Sequence, residues 1–206
     1  MDLGHVLELF KLGEKLKMEL RHSWLSDGRR ESVAEHTWML TLLAMAVEPH
    51  LPQPVQMERL LKMLIIHDLV EARASDVPAF ETMDNPERKA IKQANEIAAI
   101  AYIRDLVGGE NGRQFYELWF EFEQKATYEA QVANALDKLE AQLQHNEAAL
   151  DTWLPVEQGM TFMLGRHTDF DPVLSHLKDL IQQEGDRKMQ AGGIDTSVFK
   201  DRHPEA

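Results

Sequence analysis

Leu60-Leu61-Lys62-Met63-Leu64-Ile65-Ile66-His67-Asp68-Leu69-Val70-Glu71-Ala72 runs an imidazole and a carboxylate directly onto the end of a strongly apolar stretch. Met57, Leu60, Leu61, Leu64 and Ile65 recur at helical spacing, so this stretch reads as a buried helix that delivers His67 and Asp68 toward its C-terminal end. A charge-bearing pair in that setting needs compensation. A second histidine, His36, lies in Glu31-Ser32-Val33-Ala34-Glu35-His36-Thr37, and a second carboxylate, Asp137, in Asn134-Ala135-Leu136-Asp137-Lys138-Leu139-Glu140. Two imidazoles and two carboxylates suit one divalent cation of intermediate hardness, and Mn, Co, Fe, Ni, Zn or Mg is the expected set. Glu71 follows His67 by four positions and Asp68 by three, which puts all three on neighbouring parts of one helix surface.

The rest of the chain reads as helix after helix. Val6, Leu9, Leu12, Leu16 and Leu20 mark an amphipathic first helix ending near Ser26-Asp27-Gly28. Ser32 and Glu35 form a capping box, which starts the second helix near Val33 and puts His36 in its first turn. Ala74 to Asp84 reads as loop, and Asn85-Pro86 opens a helix that stops at Gly108-Gly109. Phe115, Leu118, Trp119 and Phe122 form one further stripe, and Val132, Leu136, Leu139 and Leu143 the next, with Asp137 off that stripe on a face of alanines. Asp171-Pro172 starts a last short helix. With no repeat and no convincing strand, the fold class is all-α, a single helical domain over residues 1–185 followed by a loose tail over residues 186–206.

Composition narrows the function. The 206 residues carry 22 Lys plus Arg against 35 Asp plus Glu, a formal charge of −13, which argues against nucleic-acid polymers and anionic membranes as partners. A small anion remains compatible, because a bound cation and a few arginines reverse the local field. The absence of cysteine removes disulfides, thiolate nucleophiles and thiolate metal sites. No apolar run reaches signal-peptide or membrane-spanning length, so a cytoplasmic protein is expected. A metal-bound water and an ion that draws in an anionic oxygen together fit phosphate-ester hydrolysis, with Glu71 placed to take or deliver the proton. Each residue alone has a plainer reading: His36 as a hydrogen-bonded core residue, Asp137 as a solvated helix residue, Glu71 as a partner of Arg73 or Lys62, and Asp76 as a loop or cap residue. The ordered set of His, His-Asp and Asp is what favours a metal site.

That ordered set resembles the HD-domain metal-dependent phosphohydrolases. The stretches Arg29 to His36, His67 to Glu71 with Asp76, and Ala135 to Glu140 are similar to the HD-domain 5′-deoxynucleotidase family, over about Leu20 to Gln144. The resemblance implies a helical HD domain that holds one divalent ion through His36, His67, Asp68 and Asp137, hydrolyses nucleoside 5′-monophosphates with the deoxy forms preferred, and works as a homodimer. It assigns catalytic roles to Glu71 and Asp76, with Asp76 positioning the substrate. It also places a phosphate-holding arginine at Arg21, a sugar-contacting position at His22 where the family carries tryptophan, and a phosphate or capping role at Arg29. Ser75 stands where many members have glycine. Apolar surface for the dimer is expected from the Trp119–Phe122 stripe and the helix around Ile91. The rival readings are an HD phosphohydrolase for another nucleotide, such as a triphosphate, cyclic dinucleotide or alarmone, and a non-catalytic nucleotide-sensing helical module.

Overall fold

A computed structural model describes residues 3–200. Helix α1 (Gly4–Glu14) leads through a short 3-10 turn into a hairpin of β1 (Leu20–Trp24) and β2 (Arg30–Ser32). Then follow α2 (Val33–Val47), α3 (Met57–Ile66), α4 (Glu71–Ala74), α5 (Ala79–Thr82), α6 (Pro86–Val107), α7 (Gly109–Gln124) and α8 (Tyr128–Glu147). The chain closes with α9 (Pro155–Met160), α10 (Gly165–Thr168), α11 (Pro172–Ala191) and α12 (Ser197–Lys200). The fold is all-α apart from the hairpin. Among the described residues, no helix is long and apolar enough to cross a membrane.

Side chains at the helix starts explain several boundaries. Ser32 accepts from the Glu35 amide while the Glu35 side chain accepts from the Ser32 amide, so the capping box satisfies two donors at the head of α2. Asn85, Thr127 and Asp171 cap α6, α8 and α11 in the simpler one-way manner. At Gly112 an added Cβ would stand 2.2 Å from the Arg104 carbonyl, so the close approach of α6 and α7 excludes a side chain there.

The centre of the molecule is α8, which packs against α2, α3, α7, α10 and α11. Its buried Ala130, Ala133 and Ala135 let neighbouring backbones approach, while Leu136 and Leu139 join Leu40, Leu60, Met63, Leu64, Ile100 and Ile103 in the main core. Trp119 and Phe122 belong to this core at 2% and 5% exposure, and the Trp119 indole N–H donates to the His67 carbonyl at 3.1 Å. That stripe therefore offers no dimer surface. Ile91 is exposed, as are Trp38, Leu42 and Met45 on the outer face of α2.

Four local expectations are corrected. Residues 20–32 form an antiparallel hairpin rather than the end of a helix; β1 has no β-branched residue to announce it, and Arg30 ties it by donating to the carbonyls of Arg21 and Leu20 at 2.8 and 2.7 Å. His67, Asp68 and Glu71 do not share one regular helix: α3 ends at Ile66, and three-residue hydrogen bonds from Leu69 to Ile66 and from Glu71 to Asp68 tighten the chain before α4. The Ala74–Asp84 segment contains α5. Finally, α11 continues past Gly185 to Ala191, because Met189 is buried with Trp153 and Phe162 in a second small core that also takes in Ile194 and Phe199. Residues 186–200 are thus packed rather than a loose tail, and residues 201–206 lie outside the described part.

Candidate metal centre

Three helical elements converge on one point. His36 comes from the first turn of α2, His67 caps α3 with Asp68 next to it, and Asp137 projects from the middle of α8. His36, His67 and Asp68 each offer a ligand atom within 4.8 Å of the others. Asp137 Oδ1 lies 3.2 Å from His36 Nε2 and 3.9 Å from His67 Nε2. Asp68 reaches both rings, at 3.6 Å from His36 Nε2 and 3.1 Å from His67 Nε2. The side chains of His36 and His67 are 0% and 2% exposed, whereas Asp68 keeps 19%, so the centre opens to solvent on the Asp68 side.

The imidazoles are oriented from behind. His67 Nδ1 donates to the Leu64 carbonyl at 2.7 Å, and His36 Nδ1 is hydrogen-bonded to Glu140 Oε2. Both arrangements turn Nε2 inward, and each Nε2 is buried without a hydrogen-bond partner of good geometry. Two orphaned imidazole nitrogens facing two carboxylates are what a divalent ion of intermediate hardness needs, so the donor set fits such an ion.

Electrostatics follows from the same geometry. Burial and Arg21 oppose a charged His36, yet Glu140 and Asp137 outweigh them and push its pKa up to about 9. His67 is raised against its burial by Asp68 and Asp137. Burial works against the charged form of Asp68, but His67 and His36 pull it down to about 2. Asp137 is held well below the usual carboxylate range, against burial, by Lys138 and the two histidines, with Lys138 Nζ 2.8 Å from Asp137 Oδ2. Glu71 moves the other way: burial, then Asp68 and Asp76, raise it well above the ordinary value. Asp76 is raised by burial and Asp68 against the pull of Arg21.

The remaining expected site residues are placed unequally. Arg21 on β1 turns toward the centre, with Nη1 2.9 Å from Glu31 Oε2 and 3.6 Å from Glu140 Oε2. Asp76 follows α4, its amide donating to Glu19 Oε1 at 3.1 Å. His22 has its ring edge-on to Trp24 and Phe80, and its Nδ1 is 2.9 Å from Glu157 Oε1 of α9. Arg29 is not brought to the centre; it is exposed and pairs with both Glu35 oxygens at 3.0 and 2.8 Å, which supports the capping carboxylate. Glu31, Lys138 and Glu140 stand within the stretches that carry the resemblance but had no role assigned from the sequence, and Glu157 was not singled out at all. Glu140 was within reach, since it stands three residues beyond Asp137 on α8, but nothing in the sequence joins Glu157 to His22, 135 residues away.

Helices α2 and α8 and the turn that follows α3 bring two histidines and two carboxylates to one buried point, a candidate metal site in a helical fold. The chain belongs to the HD domain family, whose model matches residues 13–178. It is 26% identical over 197 residues to the 5′-deoxynucleotidase HDDC2 of Danio rerio, covering 95% of each chain. The 5′-deoxynucleotidase HDDC2 of Dictyostelium discoideum is 28% identical over 152 residues, 70% of this chain and 78% of that relative. Among solved structures, a predicted metal-dependent phosphohydrolase from Magnetospirillum magnetotacticum MS-1 superposes with a TM-score of 0.78 at 27% identity, covering 93% of this chain and 97% of that one.

Proposed function

We propose that the chain is a cytoplasmic, metal-dependent phosphomonoesterase that hydrolyses nucleoside 5′-monophosphates, 2′-deoxy forms by preference, to nucleoside and phosphate. The observation that carries this reading is the pair of buried Nε2 atoms of His36 and His67, neither in a well-formed hydrogen bond, that face the carboxylates of Asp68 and Asp137. The substrate class is taken from the relatives that bear the name 5′-deoxynucleotidase. His36, His67, Asp68 and Asp137 hold the ion, which when bound supplies a Lewis acid and lowers the pKa of water in its coordination shell. Arg21 stays charged, because Glu140 and Glu31 outweigh the cost of its burial, and it meets the substrate phosphate. Glu71, whose surroundings favour the protonated form, passes a proton to the departing 5′ oxygen. Asp76 orients the substrate, and His22 lies at the sugar.

The active form is a homodimer in this reading. Trp38, Leu42 and Met45 repeat at helical spacing on the outer face of α2 and are 63%, 48% and 58% exposed, an apolar strip of the kind that marks an interface. A monomeric mass at micromolar concentration would remove this part of the proposal.

The deciding experiment is phosphate release from matched 5′-dNMP and 5′-NMP pairs after metal stripping and addition of Mn, Co, Mg or Zn. Metal-restored turnover favouring the deoxy member is expected. Equal turnover would keep the chemistry and discard the sugar preference; silence with every metal would sink the assignment in favour of another phosphoester or a sensing role.

A further inference from the structure

Two buried carboxylates beside the metal centre have no place in the chemistry described above. Glu31 on β2 and Glu140 on α8 are both 1% exposed. Each reaches Arg21 Nη1, at 2.9 Å from Glu31 Oε2 and 3.6 Å from Glu140 Oε2, and the same Glu140 oxygen is hydrogen-bonded to His36 Nδ1. Four side chains from β1, β2, α2 and α8 therefore form one continuous chain of charge, Glu31 to Arg21 to Glu140 to His36.

We propose that Glu31 and Glu140 are positioning residues, Glu31 fixing the guanidinium of Arg21 toward the substrate phosphate and Glu140 fixing His36 as a metal ligand. The inference rests on the reading that His36 binds a metal ion and Arg21 an anion. Energetics supports a role beyond stability, because desolvating two carboxylates is expensive and apolar replacements of similar volume commonly serve stability as well or better. Glu140 also leaves Oε1 buried without a hydrogen-bond partner, a loose end that a carboxylate retained only for packing has no reason to keep.

The geometry says what each does. By accepting Nδ1–H, Glu140 selects the tautomer with its lone pair on Nε2 and makes that nitrogen a better donor to a cation. Glu31 occupies one N–H of Nη1, so the planar guanidinium is held at one edge while its remaining donors stay available to an anion. Arg21 and His36 share one Glu140 oxygen, but only His36 is hydrogen-bonded to it, Arg21 standing 3.6 Å away, so the hold on His36 does not depend on Arg21.

The test uses the full chain with Glu140→Gln and Glu31→Gln, titrated with Mn²⁺ after metal stripping and then, once metal-loaded, with inorganic phosphate, by calorimetry. Glu140→Gln is expected to weaken Mn²⁺ binding about 10–100-fold. Glu31→Gln is expected to leave Mn²⁺ affinity unchanged and to weaken phosphate about tenfold, roughly the value of one hydrogen bond to a charged group. In an Arg21→Gln background the Glu31→Gln effect on phosphate must vanish, a result that a merely structural role does not produce. If Glu31→Gln does not fold, Glu31→Asp carries the test, its shorter carboxylate weakening phosphate but not Mn²⁺. Unchanged Mn²⁺ affinity in Glu140→Gln, or a phosphate loss in Glu31→Gln that persists without Arg21, would overturn the assignment. Neither titration needs nucleotide turnover: native protein that binds Mn²⁺ yet cleaves no nucleoside monophosphate removes the substrate reading alone, while unaffected variants remove only these positioning roles.

Discussion

The proposed metal centre and its rim are built from different kinds of structure. His36 and Asp137 stand on helices of 15 and 20 residues, and His67 and Asp68 follow directly on the ten of α3. Arg21 and His22 stand on a five-residue strand, Glu71 on a four-residue helix, and Asp76 on the turn that follows it. Long packed helices fix ligand positions closely, which a coordination site demands. Short elements tied by side-chain hydrogen bonds can be altered one residue at a time without dismantling the core. The difference teaches that, in the proposed function, the metal ligands sit on or directly after long helices while proton transfer and substrate contacts sit on short elements that can vary around them.

The sharpest way to break that division is to remove a ligand. Asp68→Ala is expected to abolish metal-dependent phosphate release, a loss of at least about a thousandfold, since no water is activated without the bound ion. Its far-ultraviolet circular dichroism should match the native protein, because Asp68 is the ligand nearest solvent. Undiminished turnover would detach the chemistry from the helical centre altogether.

Glu71→Gln probes the boundary between centre and rim. Turnover should fall about 10²–10⁴-fold, the usual range for losing a proton-transfer group. Stability should move the opposite way. Burial, Asp68 and Asp76 raise the folded pKa of Glu71, so its ionisation near neutral pH opposes folding and the neutral amide relieves that cost. A melting temperature for the metal-free variant equal to or above the native value is the expected result. A large decrease would show Glu71 to be chiefly a structural residue.

Acidity separates the metal-free from the loaded state of the centre. In the metal-free protein His36 titrates at about 9 against an ordinary 6.5, so the folded chain holds that proton more tightly than the unfolded one. The associated stabilisation is complete below about pH 6.5 and is lost as pH rises through about 9. Thermal melts of stripped protein should therefore fall over that window. Metal competes with the same proton, so Mn²⁺ affinity should rise across it with proton release, and the loaded protein should melt with a flatter profile. A stripped protein whose melting temperature is flat between pH 6.5 and 9 would remove His36 as the titrating group.

How much of this could be read from the sequence follows the same division. The residues proposed as ligands were readable as a set because His36 follows a capping box and His67 ends an apolar helix, both signals contained within a dozen residues, and the structure brings them together with Asp68 and Asp137. The helix starts at Val33, Pro86 and Pro172 were readable for the same local reason. The hairpin was not, since Leu20 continues the helical spacing of α1 and β1 has no β-branched residue and no alternating apolar pattern. Nor was the surrounding network: Glu140 meets His36 across 104 residues and Gln144 donates to the Trp24 carbonyl across 120. Met189 looked like part of a polar tail because its partners Trp153 and Phe162 lie in short elements without periodicity.

Ser75 offers the finest comparison of centre and rim. It follows α4 with φ 62° and ψ 153°, a region that side-chain-bearing residues avoid, and its amide still donates to the Glu71 carbonyl at 3.0 Å. The next residue is Asp76, whose carboxylate feels the charges of Arg21 and Asp68, so the strained turn directly precedes the residue proposed to position the substrate. Strain of this kind costs about 1–3 kcal/mol. Ser75→Gly relieves it but loses about 0.5–1 kcal/mol to the greater freedom of the unfolded chain, which leaves a net gain of about 1 kcal/mol. For a chain of 206 residues that corresponds to a rise in melting temperature of about 2–4 °C. The turn keeps its hydrogen bonds with glycine, so kcat should change little, and any effect should appear in KM through a looser Asp76. A stabilised variant with native KM would show that the strain is incidental to substrate positioning; a raised KM with unchanged metal affinity would show that the rim holds its geometry at the expense of stability while the helical centre does not.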